Sequence, residues 1–158
     1  MDEGLKSAIA EGVLREPLAR TLGMKLVELA EGFSAVEMEY RPETMDNLFS
    51  RAHGGAIFAL IDEAFETVGQ TVGSVTVALN VNVTYVASPE APATLRAEAR
   101  EVSATKRTAS YDIKVTDQAG RLIATCQALG FRTGKPLPFL QDETSGQSIA
   151  DQGVSSAS

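Results

Sequence analysis

The segment from residue 54 to about residue 70 is the most apolar part of the chain, and its large side chains recur with helical spacing. On a helical wheel the apolar residues share one broad side, and the polar residues gather opposite them. A helix that is apolar over more than half of its circumference predicts a β-sheet that curves around it. The apolar residues are Phe58, Leu60, Ile61, Ala64, Phe65 and Val68, and the polar residues are Glu63, Glu66, Thr67 and Gln70.

Strands are predicted on both sides of this helix in the sequence. After it, large apolar residues alternate with polar or small ones from Val75 to Tyr85, which predicts a long strand. Residues 117–120 predict a hairpin turn, with Gly120 in a position suited to positive φ. Hairpin-linked strands favour a largely antiparallel sheet, and therefore an α+β fold. The other predicted strands cover residues 24–30, 36–40, 94–102, 108–116 and 121–132.

The remaining segments complete one domain. Residues 5–22 have helical spacing that is interrupted at Pro17, so one or two short helices are expected in an N-terminal segment of residues 1–21. Residues 41–52 have no period and predict a loop. From residue 141 onward Ser, Gln, Asp and Gly dominate, which predicts a disordered tail after a domain of residues 1–140.

Composition narrows the classes of partner. A formal net charge of −7 and a pI near 4.7 argue against a protein that wraps nucleic acid, although one phosphorylated small molecule would need only a few local cations. Cys126 is the only cysteine, so no internal disulfide can form. Because the sequence shows neither a signal peptide nor a bilayer-spanning apolar run, a soluble cytoplasmic protein is expected.

Several kinds of catalytic site are excluded by what the sequence lacks. His53 is the only histidine, so any serine–histidine or cysteine–histidine pair would have to use it. There is no Gly-x-Ser-x-Gly elbow and no glycine-rich phosphate or dinucleotide loop. One histidine and one cysteine make the usual zinc sites implausible. The expectation is chemistry without a metal or redox cofactor.

His53, Gly54 and Gly55 stand at the start of the apolar helix. The N–H groups of a first helical turn carry partial positive charge, and two glycines let another molecule approach the backbone closely. A carbonyl oxygen docked there would be polarised as in an oxyanion hole. Alternatively, the glycines only let the helix pack against the sheet. The residues alone leave both interpretations open.

Asp62 follows two to three turns further along the helix, at the border between its apolar and polar sides and beside Phe58 and Phe65. Partial desolvation there would raise its basicity. Such a carboxylate could attack a thioester directly or activate water. The alternative, which the residues alone favour, is that Asp62 simply begins the polar side.

Four other residues have ordinary explanations from the sequence. Asn47 is a typical turn residue. Lys106 and Arg107 fall in a hairpin turn and are expected to be solvated. Cys126 alternates with small apolar residues, so it is expected to pack in the core.

The segment from Asn47 to Asp62, NLFSRAHGGAIFALID, resembles the signature of hotdog-fold acyl-CoA thioesterases of the phenylacetic acid degradation type. That signature has Asn, a gap, His-Gly-Gly, an apolar helix and then an acid. The strand TVALNVNVTY at residues 76–85 and the hairpin GRLIA at residues 120–124 resemble later parts of the family, so the likeness covers about residues 22–132. It implies a curved six-stranded antiparallel sheet around one long helix, in homodimers that commonly pair into homotetramers.

The resemblance also implies roles for individual residues. Asp62 becomes the nucleophile or general base, and the Gly54 N–H from the other subunit polarises the thioester carbonyl. Asn47 and His53 orient substrate, water or the loop itself. The further substrate-binding candidates are Gly55, Phe58, Phe65, Thr76, Ala78, Arg51, Lys106 and Arg107.

One position departs from the family pattern. Where the family often has Ser, Thr or an acid on the strand after the helix, this chain has Ala78, and Thr76 or Thr67 could compensate. Arg51, Lys106 and Arg107 are the candidates for binding the CoA phosphates.

The leading hypothesis is hydrolysis of an acyl- or aryl-acyl-CoA. The alternatives are a hotdog protein that binds acyl-CoA or an acyl carrier without cleaving it and, ranked last, a hotdog hydratase or dehydratase.

Overall fold

The computed structural model describes residues 1–140, so the predicted tail lies outside the described residues. None of the described helices combines the length and apolar character needed to cross a lipid bilayer. The elements, in chain order, are α1 (Glu3–Arg15), α2 (Pro17–Leu22), β1 (Lys25–Ala30), β2 (Phe33–Tyr40), α3 (Pro42–Met45), α4 (Gly54–Gln70), β3 (Ser74–Tyr85), β4 (Ala93–Ala104), β5 (Thr108–Asp117), β6 (Leu122–Pro136) and a 3-10 turn (Pro138–Leu140).

The six strands form one antiparallel sheet in the order β1-β2-β4-β5-β6-β3. Helix α4 contacts every strand of this sheet, which requires the sheet to curve around the helix. Its Leu60, Ile61, Ala64 and Val68 are completely buried. The predicted α+β architecture and the predicted bounds of the long helix are therefore confirmed.

Three local predictions are also confirmed. Pro17 separates two helices by occupying the first position of α2, where its missing N–H costs nothing. Gly120 adopts φ +79° in the β5–β6 turn, and the Asp117 carboxylate accepts the Ala119 and Arg121 amides there, which lowers its pKa. Cys126 is buried on β6, and desolvation raises the pKa of its thiol to about 11.

Two predictions about the region around α4 are wrong in detail. The segment predicted as a loop contains one helical turn, α3, begun by Pro42. The assignment of helix sides also fails, because Phe58 is 37% exposed while Glu63 is 3% and Thr67 only 1% exposed. The end of α1 and the 3-10 turn line this side of α4 and cover Glu63 and Thr67, whereas Glu66 remains exposed.

Strand β3 forms one edge of the sheet and pairs only with β6. Its register shifts between Ala78 and Asn80, which leaves Leu79 as an extra residue. Val77 and Leu79 are 44% and 57% exposed. A long edge strand with exposed apolar side chains and unpaired backbone groups is a natural surface for pairing with another chain.

Gly130 on β6 should be intolerant of a side chain. A Cβ there would lie 2.6 Å from Thr76 Cγ2 and within 3.4 Å of the rings of Phe65 and Tyr111. We expect Gly130→Ala to lower the free energy of unfolding by about 1–3 kcal/mol, because a packed core cannot yield the space. Urea denaturation measures this change.

Thr76→Ser provides the matched variant, since it removes the clashing methyl group and keeps the hydroxyl that bonds Gly69 O at 2.9 Å. Adding it to Gly130→Ala should recover part of the lost stability. Equal losses with and without Thr76→Ser would show that the methyl contact is not the cause.

Candidate active site

The N-terminus of α4 is capped by the histidine that precedes it. His53 Nδ1 accepts a hydrogen bond from the Gly55 N–H at 2.9 Å. The neutral ring therefore carries its proton on Nε2. In the single chain His53 acts as a helix cap that fixes the first turn.

Gly54 supplies the amide that remains available at this helix tip. The amides of Ala56 and Ile57 both point to the His53 carbonyl, at 3.0 and 3.4 Å, and Gly55 is used by the cap. Among residues 1–140 no acceptor faces the Gly54 N–H. The carbonyl that accepts twice belongs to the same peptide group as this N–H, so its hydrogen bonds polarise the donor further. The tip thus presents one polarised amide at the positive end of a helix.

Tyr85, at the end of β3, is a residue of this site that the sequence analysis missed. Its hydroxyl donates to Gly54 O at 3.0 Å, and a Cβ on Gly54 would lie 3.1 Å from its ring. The close approach of this ring explains why glycine occupies position 54. The contact joins residues 31 apart, and alternation along a strand gives no signal for it.

Asn47 shapes the loop that leads to the helix tip. Its side-chain Oδ1 accepts hydrogen bonds from the backbone N–H groups of Phe49 and Arg51, at 2.8 and 3.3 Å. Its backbone N–H donates to Arg51 O at 2.8 Å. The His53 amide donates to Met45 O at 2.7 Å, which anchors the other end of the loop. These contacts support the turn interpretation of Asn47.

Asp62 lines a cavity of about 470 Å³ that also reaches His53 and Gly55. Its side chain remains accessible in the single chain, yet the surrounding protein partly desolvates the carboxyl group. Desolvation, and secondly the charge of Glu16, raise the pKa of Asp62 above its ordinary value. The carboxylate is therefore a stronger base than a fully solvated one. The apolar lining comes from Leu18, Leu22, Met45, Ala56, Phe58 and Ala59.

The carboxylate and the free amide of one chain cannot act on the same carbonyl group. Asp62 stands eight residues after Gly54 on one helix, which separates their backbones by about 12 Å. An acyl carbon and its oxygen would have to contact both groups at about 3 Å. Gly54 and Asp62 of one chain are therefore too far apart to contact the same carbonyl group.

The remaining candidates on α4 and β3 lie away from this cavity. Phe65 is buried and packs edge-to-face on Tyr111, with ring centroids 5.1 Å apart, so it belongs to the core. The Thr76 hydroxyl donates to Gly69 O, and the Thr67 hydroxyl bonds to backbone carbonyls of α4. Ala78 is exposed on the β3 edge. Both threonine hydroxyls already donate hydrogen bonds within the chain.

The basic candidates are exposed, and two of them lie at the far end of the sheet from Gly54. Lys106 and Arg107 lie in the β4–β5 turn, next to the β6 residue that pairs with Val77. Tyr85, beside Gly54, stands about 26 Å further along β3 at the usual rise per residue. These two cations therefore cannot reach the amide of their own chain. Arg51, by contrast, lies three residues before Gly54, in the loop that precedes α4.

The helix-wrapping antiparallel sheet and its helix tip agree with the family comparisons, which show that the chain belongs to the thioesterase superfamily. The model of that superfamily matches residues 49–124. A candidate esterase of Archaeoglobus fulgidus is 32% identical over 123 residues, which are 78% of this chain and 79% of that protein.

Two further relatives narrow the comparison within this superfamily. Acyl-coenzyme A thioesterase PaaI of Escherichia coli is 29% identical over 116 residues, 73% of this chain and 82% of that protein. Its structure has a TM-score of 0.79 at 26% identity, covering 84% of this chain and 95% of that one. The protein smu.793 of Streptococcus mutans, solved bound to acetyl-CoA, has a TM-score of 0.68 at 29% identity, over 72% and 91% of the two chains. The hotdog fold of the PaaI type and the class of thioester hydrolase are therefore confirmed.

The capping role of His53 can be tested by stability. His53→Ala removes the acceptor of the Gly55 amide, whereas His53→Asn replaces it with a residue that caps helices well. We expect the alanine variant to lose about 1 kcal/mol of unfolding free energy and the asparagine variant to lose much less. Chemical denaturation at fixed protein concentration compares them. Equal losses would mean that the ring contributes by some contact other than the cap.

Proposed function

We propose that this thioester hydrolase cleaves acyl-CoA into a carboxylate and CoA, without a metal or redox cofactor. The observation that carries the proposal is the Gly54 amide, which is polarised and has no acceptor among the described residues, between two residues, His53 and Gly55, that line a largely apolar cavity. The acyl-CoA thioesterase activity in the name of E. coli PaaI and the acetyl-CoA bound to the S. mutans neighbour support the substrate class.

The site forms where two chains pair along their β3 edges. Antiparallel pairing of two such edges turns one chain end over end relative to the other. The Gly54 end of one chain then approaches the Ala78 end of its partner, and the Asp62 carboxylate comes from that partner. The exposed Val77 and Leu79 become buried in the same step. A homodimer is the smallest unit with complete sites, and two dimers can combine into a homotetramer.

In the reaction the thioester oxygen accepts the Gly54 N–H, which stabilises the negative charge that develops on it. Asp62 acts on the carbonyl carbon in one of two ways. It either removes a proton from a water whose oxygen attacks, or attacks directly to give an anhydride that water then opens. In both routes the carbon–sulfur bond breaks, and the CoA thiolate leaves and takes up a proton.

The phosphates of CoA need positively charged partners, and in this acidic chain a few local side chains must supply them. The same pairing brings Lys106 and Arg107 of one chain to the end of the sheet that carries Gly54 of the other. Arg51 flanks that end within the loop. These three side chains form the proposed phosphate-binding group. Phe58, exposed on α4 and lining the cavity, contacts the acyl group.

A non-catalytic acyl-CoA-binding protein is the second candidate. Ala78 favours it, because no hydroxyl group stands at that position to place a water, and the hydroxyls of Thr76 and Thr67 are engaged with the backbone. A hydratase would need a catalytic histidine, and His53 uses Nδ1 to cap the helix. The assay below separates the first two candidates.

Asp62→Asn should abolish turnover while preserving the fold. Loss of the carboxylate is expected to lower kcat by about 10²–10⁴-fold, because an amide can neither attack nor take a proton. Thiol release from a panel of aliphatic and aryl acyl-CoAs measures the effect. Asp112→Asn, at an exposed side chain of β5, is the matched control and should retain full activity. An Asp62→Asn variant as active as the control would remove this residue from catalysis.

The Gly54 amide can be tested against its own steric control. Gly54→Pro and Gly54→Ala both place a Cβ near Tyr85, but only proline removes the N–H, at a position where proline is well tolerated. We expect kcat to be about 10²–10³-fold lower for proline than for alanine.

Mixing the Gly54→Pro and Asp62→Asn variants, each inactive alone, should restore about a quarter of the wild-type activity. Random pairing makes about half of the dimers mixed, and each mixed dimer has one intact site of its two. No recovery despite proven subunit exchange would place both groups within one chain's site.

A further inference from the structure

A second cavity, of about 640 Å³, lies between the end of α1 and α4. It shares no lining residue with the cavity at the helix tip. Its charged lining is strongly acidic, because four glutamates face a single cation, Arg15. The cavity is therefore a local concentration of negative charge that the proposed hydrolysis does not use. The glutamates are Glu11, Glu16, Glu63 and Glu66.

Glu63 is the unusual member of this lining. It is only 3% exposed, and its Oε1 has no hydrogen-bond partner among the described residues. The nearby Thr67 hydroxyl does not satisfy it, since that hydroxyl bonds to the backbone carbonyls of Glu63 and Ala64. A buried carboxylate oxygen without a donor is costly unless something else binds it.

Glu16 and Glu66 stand close to this oxygen. One carboxylate oxygen from each of the three glutamates lies within 4.8 Å of the others. Like charges at this spacing repel, and burial together with Glu16 raises the pKa of Glu63 to about 8. The three carboxylates therefore require a shared positive partner to be ionised together.

We propose that Glu16, Glu63 and Glu66 bind a hard divalent cation, of the Ca²⁺ or Mg²⁺ type. All three ligands are oxygens, which such cations prefer. Two oxygens on one Ca²⁺, each about 2.4 Å from it, can be no more than about 4.8 Å apart, and the three glutamate oxygens lie within that limit.

Groups around the three glutamates can supply the remaining ligands of the cation. Gln70 Nε2 donates a hydrogen bond to Glu66 Oε1 at 3.0 Å, which orients that carboxylate. This contact does not use the side-chain oxygen of Gln70. The cavity has room for several waters, which both cations retain in protein sites. The site joins the end of α1 to the middle of α4, so cation binding is expected to stabilise the packing of the N-terminal helix.

Thermal unfolding of the full chain tests the proposal. The protein is first dialysed against EDTA and then titrated with CaCl₂ or MgCl₂, with NaCl at matched ionic strength as the control for screening. One of the divalent cations should raise Tm by about 3–8 °C at saturation, with a binding isotherm by calorimetry. NaCl should not reproduce the increase.

Glu63→Gln is the decisive variant, because it keeps the shape and removes one ligand charge. Without cation it should be about as stable as the wild type, because glutamine keeps the shape of the side chain, and it should lose the cation-dependent increase in Tm. Glu43→Gln, an exposed glutamate on α3, should respond like the wild type. The proposal is overturned if neither cation stabilises the wild type beyond NaCl, or if Glu63→Gln responds as strongly as Glu43→Gln.

Discussion

Burial of helix α4 against all six strands is the constraint on which the rest of the molecule depends. Because the sheet curves around it, the helix has one fixed axis and one rotational setting. Its N-terminus must then emerge at the edge of the sheet, where Tyr85 on β3 holds the Gly54 peptide. The same rotational setting turns Asp62 toward the outer cavity and Glu63 toward α1. Two adjacent acids thus face different chemical surroundings because the core fixes the helix between them.

Much of this arrangement follows from local sequence patterns. The bounds of α4 were predictable because its apolar run begins at two glycines and ends before a glycine-flanked turn, and the strands were predictable from their period of two. The antiparallel sheet follows from short hairpin links such as residues 117–120. The candidate acid and helix tip could be proposed from the resemblance that residues 47–62 carry, because the residues alone left the role of the glycines open and favoured an ordinary polar side for Asp62.

Apart from the local helical turn α3, the parts that escaped prediction depend on contacts between distant segments. A helical wheel assigned Glu63 and Thr67 to solvent because it cannot show that the end of α1 covers that side. It also placed Phe58 on the buried side, although the structure leaves this side chain 37% exposed. Tyr85 went unnoticed because a tyrosine at the end of a strand has no local signal for a bond to a residue 31 positions earlier. Composition and period describe each segment separately, and these residues are defined by how segments meet.

The separation of the two reacting groups along α4 has a consequence for the assembly. A helix of fixed rise cannot shorten the distance of about 12 Å between Gly54 and Asp62, so no side-chain adjustment within one chain completes the site. In the proposed dimer a second copy, whose helix runs in the opposite direction, completes the site across a two-fold axis at the β3 edge. Dissociation would then expose Val77 and Leu79 and separate amide from carboxylate at the same time. The proposed function therefore couples hydrolysis to assembly, because a monomer could fold fully around α4 and still lack the second half of the proposed site.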